Sequence, residues 1–252
     1  VFPVLTGQSV VIGVRRIHVL PTPLSSFAVY GASSERAAAL AQHPLLEELA
    51  ARMKTRVFTC SNLGENIAKA KPASGAPNFA GVAVVANGPH LPQDLETLLG
   101  RGATEFLVLP PQAPAPQRVL IHWSGEEARR ATLAVAASLL RHVAAEAVYV
   151  GILPSATPER QRPSGVRDLL DARSEAQAVH GLEMRTELRF GDVAQELTRQ
   201  LEENAEQMLI LGFNDPAQLK NEFAPLLAAN PGWPLLLVYR SREPAAAQRR
   251  LA

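Results

Sequence analysis

His122, Trp123 and Ser124 close the apolar run Val119-Leu120-Ile121, and they are the residues here best placed for binding chemistry. An imidazole, an indole and a hydroxyl at a strand end would offer a proton donor or acceptor, a stacking surface and a second donor. The competing reading is structural, with Trp123 filling the space a ligand would take and Ser124 capping a helix, since Ser124 and Glu127 have capping-box spacing. Gly212 ends a second apolar run, Met208-Leu209-Ile210-Leu211, and joins these three as a candidate ligand-binding residue. The chain carries no P-loop, G-x-S-x-G, H-E-x-x-H or C-x-x-C, so the common phosphotransfer, serine-hydrolase, metalloprotease and dithiol signatures are absent. We therefore expect no catalytic residue and no enzyme activity.

Gly100-Arg101-Gly102 resembles the start of a dinucleotide fingerprint, but it follows a helical pattern and precedes a strand, which fits a helix end and turn. The six histidines lack ligand-type partners at i+3 or i+4, and no metal site is expected. Cys60 ends an apolar strand with no neighbouring cation or base, and reads as a buried, inert thiol. Arg160, Arg162, Arg167 and Arg173 could form a modest anion or partner patch, although a solvated face explains them as well.

The elements that position these residues alternate. The run Arg118–Trp123 leads into a helix with Ala128, Ala131, Val135 and Leu139 along one face. Further runs follow at 147–153, 182–190, 208–212 and 233–239, separated by helical stretches near 166–179, after Gly191-Asp192, and at 216–229. Leu182–Phe190 alternates apolar and charged residues, as an edge strand does, whereas Leu235-Leu236-Leu237-Val238 has the unbroken apolarity of a strand covered on both faces. This is an α/β pattern with a mostly parallel sheet.

Residues 25–111 repeat the pattern more thinly: strands at 27–30, 56–60, 82–85 and 106–109, a helix over 34–53, and another around Leu95, Leu98 and Leu99. Four prolines in the seven residues 110–116 mark a linker, placed at 112–117. Residues 1–24 are an extension or connector in which Val10-Val11-Ile12 and Ile17–Leu20 could be strands, and 242–252 form a tail.

The 252 residues are 47% hydrophobic and 19% charged, with 25 basic against 24 acidic side chains. This balance argues against a nucleic-acid or acidic-membrane surface. One cysteine excludes an intrachain disulfide and fits a reducing, cytoplasmic setting. No run reaches the roughly eighteen apolar residues of a membrane-spanning helix. The start at Val1-Phe2-Pro3 reads as that of an excised fragment.

Residues 117–241 resemble the universal stress protein (UspA-like) family, through Val119–Ala131 as first strand and helix, Gly191-Asp192-Val193, Met208–Gly212 as fourth strand and Pro234–Val238 as fifth. The resemblance implies two Rossmann-like subdomains with parallel strand order 3-2-1-4-5, 118–241 complete and 25–111 an abbreviated copy. Nucleotide-binding members carry an Asp at the end of the first strand and a G-x2-G-x9-G-[S/T] run after the fourth. Here those places hold Ser124, Gly212, Asp215, Pro225 and Leu226, so one glycine of three is kept. Asp215 would repel a phosphate, Pro225 lacks an N–H, and Leu226 offers nothing polar. Family-type ATP binding, and any other cofactor, is expected to be absent.

The expected function is thus a non-catalytic regulatory or interaction module, with a small-ligand (nucleotide or anion) sensor in a remodelled crevice as the alternative. Strand 235–239, as an exposed last strand, is expected to pair in a homodimer. Similar folds at the cytoplasmic ends of membrane transporters imply a further variant: the regulatory domain of a parent transporter, tethered through a segment outside these residues.

Overall fold

The structure, a computed structural model, describes residues 10–12, 15–17, 24, 26–31, 33–60, 81–203, 207–228 and 232–241. Val10–Ile12 (β1) and Arg15–Ile17 (β2) form an antiparallel ribbon. All other strands join one nine-stranded sheet. In chain order its elements are β3 (Ser26–Tyr30), α1 (Ser34–Ala41), α2 (Pro44–Met53), β4 (Arg56–Cys60), β5 (Val82–Ala86), α3 (Leu91–Gly100), β6 (Glu105–Leu109) and β7 (Arg118–Trp123). There follow α4 (Glu126–Leu140), β8 (Glu146–Leu153), α5 (Arg162–His180), β9 (Arg185–Phe190), α6 (Val193–Glu202), β10 (Gln207–Phe213), α7 (Ala217–Asn221), α8 (Ala224–Ala228) and β11 (Leu235–Tyr239).

The sheet order is β4-β3-β5-β6-β11-β10-β7-β8-β9. Counted within the second half, β9-β8-β7-β10-β11 is the expected order 3-2-1-4-5, and β9 is the edge its alternation predicts. The first half follows with β4-β3-β5-β6, the places of strands 2-1-4-5. Every pairing within the nine-stranded sheet is parallel except one: β6 and β11 run antiparallel, Leu235 opposite Val108 and Leu237 opposite Phe106. The last strand is therefore not an open edge, and the pairing surface expected for a homodimer is occupied within the chain.

Helices cover both faces. On one, Leu40, Leu45, Leu46 and Leu49 of α1 and α2, Leu133, Val135 and Leu139 of α4, and Leu169 of α5 share a core with Val119 and Ile121. On the other, Leu91, Leu95 and Leu98 of α3, Leu197 and Leu201 of α6, and Phe223 and Leu226 near α7 and α8 pack on Leu120, Leu209 and Leu211. Unbroken apolar strands such as β11 are what burial on both faces requires.

Two expected helices are broken, each by a proline. The stretch 34–53 divides at His43-Pro44 because the pyrrolidine ring disfavours helical geometry at the preceding residue. His43 then caps α2: its Nδ1 accepts from Leu45 N at 3.3 Å and its Nε2 donates to Pro110 O at 3.0 Å, fastening the proline-rich connection. The stretch 216–229 becomes α7 and α8, since Pro225 cannot donate to Asn221 O. The capping box is also absent: Gly125, not Ser124, is the N-cap of α4. The tail 242–252 and the second proposed strand beyond Ile17 lie outside the described residues.

Gly212 fixes how closely α4 approaches the sheet. A Cβ there would lie 1.9 Å from Thr132 Oγ1, which is held by donating to Ala128 O at 2.7 Å, and 3.1 Å from the Trp123 Cβ. Gly212→Ala should lower the unfolding free energy by about 1–3 kcal/mol, measured by urea titration. In a Thr132→Ala background a large part of that loss should disappear, which a double-mutant cycle reads directly.

Candidate functional site

In an open α/β sheet the crevice forms at the carboxyl ends of the strands where successive helices switch faces. Each half of this sheet has such a point, and the antiparallel β6–β11 junction aims them at opposite ends of the molecule. The second-half crevice lies between β7 and β10. The first-half crevice lies between β3 and β5.

The structure brings the four sequence candidates together at the second-half crevice and gives each a partner. Ser124 N donates to Gly212 O at 2.9 Å, extending the β7–β10 ladder by one residue. Gly125 then turns with φ +89°, and a Cβ there would meet Asn214 Nδ2 at 2.2 Å. Trp123 stacks on Tyr149 with ring centroids 3.9 Å apart and planes 5° from parallel. On the other face of the sheet His122 is buried, and its Nδ1 donates to Val150 O at 2.8 Å. A carbonyl only accepts, so the ring carries its proton on Nδ1. Burial pulls the His122 pKa below the ordinary histidine value, against the smaller upward pulls of that hydrogen bond and of Glu222.

The loop after β10 is closed on itself. Gln218 Oε1 accepts from Asn214 N and Asp215 N, both at 3.2 Å. Gln218 Nε2 donates to Glu222 Oε2 at 2.8 Å, and Glu222 Oε1 accepts a long hydrogen bond from Ser124 Oγ at 3.4 Å. Asp215 Oδ1 accepts from Ala217 N at 2.9 Å. The backbone donors that would face an anion are thus bonded within the loop, and the mouth carries two carboxylates. Sequence reasoning missed Gln218 and Glu222; their signal is a polar i, i+4 pair, each member directly followed by an apolar residue, Leu219 and Phe223.

The first-half crevice keeps an open cavity of about 440 Å³. Tyr30, Leu91 and Asn87 line it together with Arg36 from α1 and with His90 and Asp94 from the start of α3. His90 is the N-cap of α3 but makes no side-chain capping bond. Burial pushes the Asp94 carboxyl above its usual range, with His90 pulling the other way. Cys60, half-buried rather than buried, is hydrogen-bonded with the Tyr30 hydroxyl, and burial raises its thiol pKa. Burial also raises the Tyr30 pKa, helped by the thiol. The sequence signal for this crevice was available: Gly31 and Gly88 follow the apolar runs 27–30 and 82–86, as Gly125 follows Trp123.

Gly100-Arg101-Gly102 is a helix end and turn, Gly102 N donating to Leu99 O at 2.9 Å with φ +87°. Among the described residues no three His, Cys, Asp or Glu side chains converge as metal ligands, and no helix is long and apolar enough to cross a membrane.

No family model matches the chain, and no curated protein does. Among solved structures, the chain is similar to a universal stress protein from Archaeoglobus fulgidus DSM 4304, at 11% identity and TM-score 0.51 over 83% of this chain and 80% of that one. It is similar to a protein of unknown function from Pseudomonas aeruginosa PAO1, at 14% identity and TM-score 0.52 over 86% and 93%. A candidate universal stress protein from Pseudomonas aeruginosa UCBPP-PA14 matches at 14% identity and TM-score 0.53 over 86% and 94%. At these identities the likeness is one of fold, a UspA-like α/β architecture.

The buried neutral His122 makes stability fall on acidification. Below its ordinary pKa near 6.5 the unfolded chain binds a proton that the folded chain refuses, so the unfolding free energy should drop as pH falls from about 6.5 toward the lower folded value. Urea unfolding at pH 7.5 and 5.5 should record that drop. His122→Asn should shrink it without abolishing it, since burial lowers the His180 pKa as well.

Proposed function

We propose that this UspA-like chain is a non-catalytic regulatory and interaction module that takes no nucleotide between β7 and β10. The carrying observation is the loop after β10, whose Asn214 and Asp215 amides are both bonded to Gln218 Oε1. A phosphate would displace two hydrogen bonds worth about 0.5–1.5 kcal/mol each. It would also approach Glu222 and Asp215, where a like charge at 4 Å costs about 4 kcal/mol at a near-surface dielectric. Nothing in the loop offsets that, because Pro225 has no N–H and Leu226 is buried.

The non-catalytic part of the reading has parallel support. The groups most often used as base and nucleophile are committed to the scaffold: His122 is neutral and bonded to Val150 O, and Cys60 is held under Tyr30 with a raised pKa. The first-half order β4-β3-β5-β6 supports reading residues 25–111 as an abbreviated tandem copy.

One observation favours a second reading, a sensor of a small polar ligand: the cavity of about 440 Å³ between β3 and β5, lined by Arg36, His90 and Asp94. Isothermal titration of the chain with magnesium ATP and with AMP should give no binding heat, and micromolar ATP affinity that Arg36→Glu leaves intact would overturn the first reading. In a thermal-shift screen of small polar metabolites, a compound that raises the melting temperature of the wild type by several degrees but leaves Arg36→Glu unmoved would establish the second.

A further inference from the structure

Among the described residues β9 is an edge of the sheet, and the flank of α5 beside it exposes apolar side chains. Arg162, Val166, Leu170, Arg173 and Gln177 recur every three or four residues and form one stripe. Val166 is 45% exposed and Leu170 54%, and Phe190 at the end of β9 is 39% exposed. The Arg162 guanidinium stands 5.0 Å over the Phe190 ring, which places the stripe along the strand. At the other end Arg173 and Gln177 meet Leu182, Met184 and Arg185 around a hollow of about 510 Å³. The surface thus runs the six-residue length of β9, about 20 Å.

The two sides of β9 differ. Leu188 points to the helical side, packing on the core that holds Leu169. Arg185, Glu187 and Arg189 occupy the other side with Arg118 and Glu146. On that side three guanidinium groups, Arg118, Arg185 and Arg189, share two carboxylates, Glu146 and Glu187, so one cation is in excess. Of the three carboxylates on α5, Glu175 pairs with Arg129, Asp168 lies by Tyr149, and Asp171 falls outside the stripe at helical spacing.

We propose that this edge docks an extended segment of a partner protein in which apolar residues alternate with Asp or Glu. Its backbone adds a tenth strand to β9. Its apolar side chains cover Val166, Leu170 and Phe190 on the α5 side, and its carboxylates meet Arg185 and Arg189 on the other. Alternation of period two is what a strand bound between an apolar and a cationic surface must carry. This names a partner class for the interaction module proposed above, and it stands or falls separately from the nucleotide result.

The probe is a fluorescein-labelled octapeptide of alternating glutamate and leucine or valine, with a twin in which lysine replaces every glutamate. By fluorescence anisotropy the acidic peptide should bind at least tenfold more tightly than its twin, and it should shift the amide resonances of residues 185–190. Leu170→Glu, at an exposed position, should weaken it at least tenfold. The double variant Arg185→Glu/Arg189→Glu should reverse the preference between the peptides. Equal binding of both peptides, no binding of either, or shifts that avoid β9 would overturn the proposal. So would a dimer mass in light scattering that Leu170→Glu abolishes, because the occupant would then be a second copy of the chain.

Discussion

The antiparallel pairing of β6 with β11 is the constraint on which the molecule depends. β11 is Leu-Leu-Leu-Val-Tyr, and each fully buried leucine contributes about 1.5–3 kcal/mol that an uncovered edge would partly forfeit. Pairing it with β6 turns the worst edge of the second half into the centre of a nine-stranded sheet. The join is reinforced at one end: Tyr239 N donates to Thr104 O at 2.7 Å, and Arg240 Nη2 pairs with the buried Glu105 at 2.6 Å while Thr104 Oγ1 donates to the other carboxylate oxygen. Those bonds keep a buried charge from standing alone, which would otherwise oppose the pairing.

From that one reversal of direction the functional geography follows. Each half presents the carboxyl ends of its strands to an opposite end of the sheet, so the two crevices are independent and have been filled differently. Between β7 and β10, Trp123 stacks on Tyr149 and the loop bonds to Gln218, leaving a surface bounded by carboxylates. Between β3 and β5, short side chains and the turn at Gly88 leave room, and charged groups of both signs line it. The outer strands also follow. With β11 and β6 internal, the described edges of the large sheet are β4 and β9, and β9 lies beside an apolar helix flank.

Much of the α/β pattern, and the edge position of β9, could be read from periodicity, because strands buried on both faces leave unbroken apolar runs and a half-wet strand alternates. The β6–β11 pairing could not. Apolar Leu235–Val238 announces that a strand is covered but not by what, and an intermolecular partner satisfies the same pattern as an internal one. The helix breaks at Pro44 and Pro225 were legible in local chemistry and were outweighed by longer periodicity. At the site, Ser124 was legible as a strand-end hydroxyl. Its partner Glu222 lies 98 residues away, where sequence spacing carries no information. Gly212 was read through a phosphate motif, while its structural reason is the contact of Thr132 with the strand.

The central claim is that the second-half crevice is sealed by its own loop and the first-half crevice is open. A titration with magnesium ATP followed by amide resonances tests it most directly, since every residue of both crevices reports at once. The account predicts that the resonances of Ser124, Gly212, Asn214 and Asp215 stay in place up to millimolar ATP. Saturable shifts concentrated on those four residues would contradict it.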